Sequence, residues 1–135
     1  MKRTISLALG LGACVWPCLA QNASLGVPHA PLGAYEIAGG KSVDHIDVQR
    51  FRLSPGARGT RATFAAPFLG YVAEGTIVLQ LGGGQQQTLT AGDTLFAPAN
   101  TTIDRFENAS ATEPATLVAA FLLGPQDEPP FGKFP

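Results

Sequence analysis

Cysteine is nearly absent from this 135-residue chain: Cys14 and Cys18 are the only two, and both fall within the first eighteen positions. From residue 19 onward no disulfide can form, so the fold must be held by its core. Charge is scarce as well, with nine Lys and Arg against ten Asp and Glu and a formal net charge of −1. That balance cannot neutralise a run of phosphates, which excludes a nucleic-acid binder held by a basic field. It also leaves no acidic or basic tail. Beyond the N-terminal stretch the longest apolar run, 117–123, is far short of the roughly 18–20 residues needed to cross a bilayer. Helical periodicity is missing throughout. So are a G-x-S-x-G nucleophile turn and a Gly-rich loop leading into a helix, because Gly82-Gly83-Gly84 is followed by neither a helical pattern nor Lys-Ser/Thr.

What is present at the N-terminus reads as a leader. Lys2 and Arg3 precede an apolar stretch from Ile5 to Trp16, and Pro17-Cys18-Leu19-Ala20 ends in small residues. Cleavage is expected after Ala20, giving a secreted protein. A lipid anchor at Cys14 is the alternative, since Leu11-Gly12-Ala13-Cys14 suits it, but the apolar run continues through Val15 and Trp16 and favours soluble secretion. All three asparagines, Asn22, Asn100 and Asn108, stand in N-x-[ST] with no proline at x. They are candidate glycosylation sites of a eukaryotic secretory route. The alternative is that asparagine simply favours turns beside small polar residues.

Residues 21–45 form a Gly-, Pro- and Ala-rich arm with at most one short strand, at 35–37. Residues 46–124 read as the barrel, and 125–135, with four prolines, as a surface strap. Strands are expected at 45–53, 69–73, 76–81, 85–90, 94–97, 103–107 and 115–123. Ser54-Pro55-Gly56, Gly82-Gly83-Gly84 and Ala91-Gly92-Asp93 supply turns between them, and Glu74-Gly75 signals a tight hairpin. Short strands about ten residues apart with no helix argue an all-β sandwich or closed barrel of jelly-roll type.

Two spacings carry a resemblance. Gly56-x5-Ala62-x-Phe64-x3-Phe68-x6-Gly75 fits without a gap the frame G-x5-H-x-H-x3-E-x6-G, and Gly92-x5-Pro98-x-Asn100-x2-Ile103-x3-Glu107 fits G-x5-P-x-G-x2-H-x3-N. These are the two motifs of the cupins, and the chain resembles that family from about Arg50 to Leu123. The resemblance implies a double-stranded β-helix barrel. It also locates the family's metal ligands, two His and a Glu from the first motif and a His from the second. Here those positions hold Ala62, Phe64, Phe68 and Ile103. None offers a lone pair to a divalent ion, so no metal and no other cofactor is expected, and metal-dependent dioxygenase or isomerase activity is not supported.

Replacing four ligands by apolar side chains leaves an apolar cup. Ala62, Phe64, Phe68, Val72 and Ile103 are its candidate binding residues, unless the rings collapse into the space and the barrel is filled. Alternation from Ile103 would send Arg105 and Glu107 inward, with Asp104 and Phe106 outward. Inside, Arg105 would stabilise an oxyanion and Glu107 act as general base; the alternative is a rim ion pair in solvent. Arg61 and Thr63 have surface parity. His45 with Asp44 and Asp47 imitates a metal set, but neighbouring strand residues face opposite sides and do not converge. The expected function is a metal-free secreted cupin binding a small apolar or aromatic molecule. It would transform that molecule, if at all, as an isomerase, cyclase or lyase (dehydratase), and the resemblance extends to fungal cupins of secondary metabolism. The alternative is a binding or structural protein with a filled barrel. Strand or arm exchange, as the family shows, is the route to a homodimer; no nucleic acid and no membrane span are expected.

Overall fold

A computed structural model describes residues 26–132. The leader, its cleavage point, Cys14 and Asn22 lie outside the described residues. The chain divides into one unit ending at Ala30 and a second from Pro31 onward, and the strands all belong to the second. In chain order they are β1 (His45–Leu53), β2 (Ala62–Phe64), β3 (Phe68–Glu74), β4 (Thr76–Leu81), β5 (Gln87–Thr90), β6 (Thr94–Ala97), β7 (Thr101–Asn108) and β8 (Ala115–Leu123). They form two four-stranded antiparallel sheets, β1-β8-β3-β6 and β2-β7-β4-β5. No helix occurs among the described residues, and therefore none long and apolar enough to cross a membrane.

Period-two alternation decides which side chains meet between the sheets. On β8 the inward set is Ala115, Leu117, Ala119, Phe121 and Leu123, all buried. Phe68 and Val72 on β3 and Ile77 and Leu79 on β4 join them in one core cluster. β1, an edge strand, alternates against its apolarity only in its first half, since Phe51 and Leu53 in its second half face the core. Ile46 and Val48 face solvent, while Asp47 is buried and accepts from Gln49 Nε2 at 2.7 Å.

Three local expectations change. Residues 35–37 form no strand; instead the Tyr35 ring stacks on Phe96 at 5.8 Å and its hydroxyl lies 2.6 Å from Thr94 Oγ1. Glu74-Gly75 is not a hairpin, since β3 pairs with β6 and β8 whereas β4 pairs with β5 and β7. Gly75 is a corner between sheets. Its φ is +76°, and a Cβ there would stand 2.5 Å from the Pro114 carbonyl oxygen, so only glycine fits. The third change is in β7. Leu81 pairs with Ile103 but Gln80 pairs with Arg105, so a bulge inserts one extra residue at Asp104. Alternation restarts beyond it: Phe106 and Asn108 turn inward, and Arg105 and Glu107 turn outward.

Asn108 thereby becomes a staple of the fold. It is 6% exposed, its Nδ2 donates to the carbonyls of Leu53, Ser54 and Glu113, and its Oδ1 accepts from Ser110 N at 2.9 Å. This corrects the reading of Asn108 as a surface glycan acceptor, because the amide nitrogen is committed inside the folded chain. Asn100 is exposed, in a left-handed turn at φ +59°.

Candidate functional site

Between the sheets lies a cavity of about 250 Å³. Ala62, Phe64, Phe68 and Ile103 all line it, so the four positions singled out from spacing do converge on one space. β2 delivers Ala62 and Phe64 on the same face; β2 pairs with β7, bringing Ala62 directly opposite Ile103. Arg61 and Thr63 point away, Arg61 Nε donating to Asp104 at 2.9 Å and Thr63 Oγ1 lying 2.7 Å from Thr102 Oγ1.

The rest of the lining was not anticipated. Phe51 from β1, Leu79, Leu95, Leu117, Ala119 and Phe121 complete the walls, and Phe106 enters because of the β7 bulge. Phe64, Phe68 and Phe121 pack mutually with ring centroids 5.0–5.8 Å apart. Those rings build one wall without filling the barrel. Val72 is wholly buried in the core and does not line the cavity, which corrects its place among the binding residues.

Gly59 and Thr60 form the mouth with Phe131, which is half exposed. Phe131 reaches it from the C-terminal strap, its ring 5.4 Å from Phe51 and 5.8 Å from both Phe64 and Phe121. Nothing in the sequence around Pro129-Pro130-Phe131 signals this, because the contacts are with residues remote in the chain. Thr60 carries the one polar side chain among the liners, and none of them is titratable.

Arg105 and Glu107 stand apart from the cavity. Arg105 Nε donates to Glu107 Oε1 at 3.0 Å, Arg105 Nη1 donates to Gln86 Oε1, and the Arg105 side chain is 41% exposed. This corrects their assignment as an inward acid/base pair: the bulge reverses their parity and turns both away from the cavity, with Glu107 largely covered. The donor set does not fit a divalent metal either, since none of the liners brings an imidazole, thiolate or carboxylate. Among the described residues no group of three or more His, Cys, Asp and Glu side chains is placed to hold one. His45 pairs with Asp44 at 2.6 Å on the surface while Asp47 is turned into the core.

The strap is tied down by charge. Lys41 Nζ donates to Asp127 Oδ2 at 2.5 Å, and Gly124 N–H donates to the same oxygen at 2.7 Å. The lysine contact first, then the backbone N–H, holds the Asp127 carboxyl below its ordinary value of 3.8. A carboxylate lowered in the folded state adds stability that is present above the unfolded value and lost as pH falls through the folded one. Acidification below about pH 4 is therefore expected to release the strap and Phe131 with it. Asp104, lowered by the Gly83 N–H and then by Arg61, titrates in the same window. Amide exchange of residues 124–132 against pH separates the two: Asp127→Asn should remove the acid-induced increase there, and an unchanged profile would show that the anchor lies elsewhere.

The sequence family can now be set beside this geometry. A family model described as Cupin domain matches residues 49–121, just over half of the chain. The chain is a cupin. Its barrel resembles an RmlC-like cupin from Shewanella frigidimarina, with 22% identity over 61% of this chain and 69% of that one at a TM-score of 0.51. It also resembles an RmlC-like double-stranded β-helix protein from Methanocaldococcus jannaschii, with 13% identity over 64% and 77% of the two chains and a TM-score of 0.55. The CENP-C cupin domain of Drosophila melanogaster matches with 16% identity over 55% of this chain and 59% of that domain, at a TM-score of 0.50. These likenesses establish the double-stranded β-helix. No curated relative matches in sequence. Within the cupin frame, the positions of the family's metal ligands are here the apolar wall of a cavity.

Proposed function

We propose that this cupin binds a small apolar or aromatic molecule inside its barrel without a metal. The observation that carries the reading is the cavity of about 250 Å³ walled by phenylalanine and aliphatic side chains, with Thr60 as its lone polar side chain. An apolar cavity of about 150 Å³ already takes benzene, and drug-sized ligands need roughly 300 Å³ or more. A single ring with a short substituent is the matching size. Binding is favoured over transformation because no acid or base among the described residues lines the space, and over a structural role because the barrel is not filled. In this reading the chain is secreted after loss of residues 1–20, with exposed Asn100 as a glycan acceptor, seen as a mass shift on glycosidase treatment.

Ethylbenzene is the direct probe. Titrated into the chain lacking its leader, it should shift the amides of β2, β7 and β8 with a dissociation constant of about 1 mM or tighter. Ala62→Phe, which places a ring in the free space, should weaken that binding at least tenfold with the thermal midpoint unchanged. Absence of saturable shifts in the parent chain would overturn the proposal.

A further inference from the structure

A second cleft, of about 360 Å³, lies between the Arg50–Leu53 half of β1 and the loop at 57–59. Phe51, Gly59 and Phe106 line both this cleft and the apolar cavity, so the two adjoin at the barrel mouth. Gly59 keeps the shared wall thin. A Cβ there would stand 3.0 Å from Phe106 Cδ1 and 3.2 Å from the Phe106 carbonyl oxygen.

The other liners of the cleft include Arg50, Arg52 and Arg58. Among the described residues there are six Lys and Arg side chains. Lys41 is paired with Asp127, Arg61 with Asp104 and Arg105 with Glu107. The other three, Arg50, Arg52 and Arg58, are those of the cleft. The side chains of Arg50 and Arg52 make no hydrogen bond or ion pair among the described residues. Arg58 comes no nearer than 3.8 Å to Glu107, a carboxylate already held by Arg105 at 3.0 Å. Alternation places Arg50 and Arg52 on the outer face of β1. Because β1 is the edge strand, their long stems can turn around the open edge toward the cleft. Arg50, Arg52 and Arg58 thus line one cleft with only a share of the Glu107 carboxylate among them, and an anion is what balances the remaining positive charge. Guanidinium forks match carboxylate and phosphate oxygens in particular.

We infer that the ligand of this cupin is an amphiphile, with an apolar body in the barrel and a carboxylate or phosphate head held by Arg50, Arg52 and Arg58. This rests on the apolar-cavity reading and adds the head group to it. Three probes with one body test it by calorimetry on the chain lacking its leader: 4-phenyl-1-butanol, 4-phenylbutanoate and 4-phenylbutyl phosphate. At low salt one or both anions should bind at least about tenfold more tightly than the alcohol, with the advantage shrinking as salt rises. The tighter anion assigns the head. In the variant Arg50→Gln/Arg52→Gln/Arg58→Gln the anions should fall to the affinity of the alcohol, whereas Arg61→Gln should leave their advantage intact. Equal binding of alcohol and anions, or an anion advantage that survives in the triple variant, would overturn the head-group inference and leave the cavity reading standing. Failure of all three probes would remove both.

Discussion

Phe121→Ala is expected to lower the free energy of unfolding by about 3–5 kcal/mol, a large part of what a domain of this size has. Phe121 is 1% exposed and its ring lies 5.0 Å from that of Phe68, 5.2 Å from Phe64 and 5.8 Å from Phe131. Three effects add. The burial free energy of the deleted ring is lost, a void opens, and the aromatic contacts are lost at about 0.5–1.5 kcal/mol per pair. Relaxation is limited because Phe121 sits on β8, which is paired on one side with β1 and on the other with β3. The new void would merge with the existing cavity and so enlarge it. Denaturant unfolding should show a lowered midpoint at unchanged slope, together with tighter uptake of apolar probes larger than ethylbenzene. A loss under about 1.5 kcal/mol would mean that the ring is not the centre of the core.

The second large effect is expected at Asn108. Asn108→Asp removes the NH2 group that serves the carbonyls of Leu53, Ser54 and Glu113, and turns a carboxylate toward them. Unsatisfied buried carbonyls cost about 1–3 kcal/mol, and an uncompensated buried charge brings the total to about 3–5 kcal/mol at neutral pH. Burial and the facing oxygens raise the pKa of the new acid. A raised folded-state value means that the penalty is present above it and shrinks as pH falls and the acid is protonated. The variant should therefore gain stability relative to the parent between about pH 7 and 4, opposite in sign to the loss expected from Asp127 below pH 4. Asn108→Ala should be destabilised to a similar extent with no such pH dependence. Parallel pH profiles for the aspartate and alanine variants would refute the buried-staple account.

The sequence by itself determined the fold and the position of the candidate site. Strands at 45–53, 76–81, 94–97 and 115–123 are legible because short apolar or β-branched runs and the Gly and Pro turns between them are local properties. The motif frame is legible because glycine spacing survives where the ligands do not, and Gly75 shows why, since its corner admits no Cβ. That Ala62, Phe64, Phe68 and Ile103 share one space follows from that frame, and their apolar character follows from the residues themselves.

Only the tertiary structure decided which neighbours complete the site. A one-residue bulge at Asp104 has no mark in the sequence, yet it exchanges Arg105 and Glu107 for Phe106 at the cavity wall, because inserting one residue into a period of two inverts every side chain beyond it. Asn108 turned inward for the same reason. Phe131 belongs to the mouth through contacts between segments far apart in the chain, and no local pattern encodes those. Whether the phenylalanines would fill the barrel or wall it was likewise open, since side-chain volumes alone do not say where the rings will stack. The pairing of β8 between β1 and β3, which sets Phe121 against Phe64 and Phe68, leaves the space beside them free.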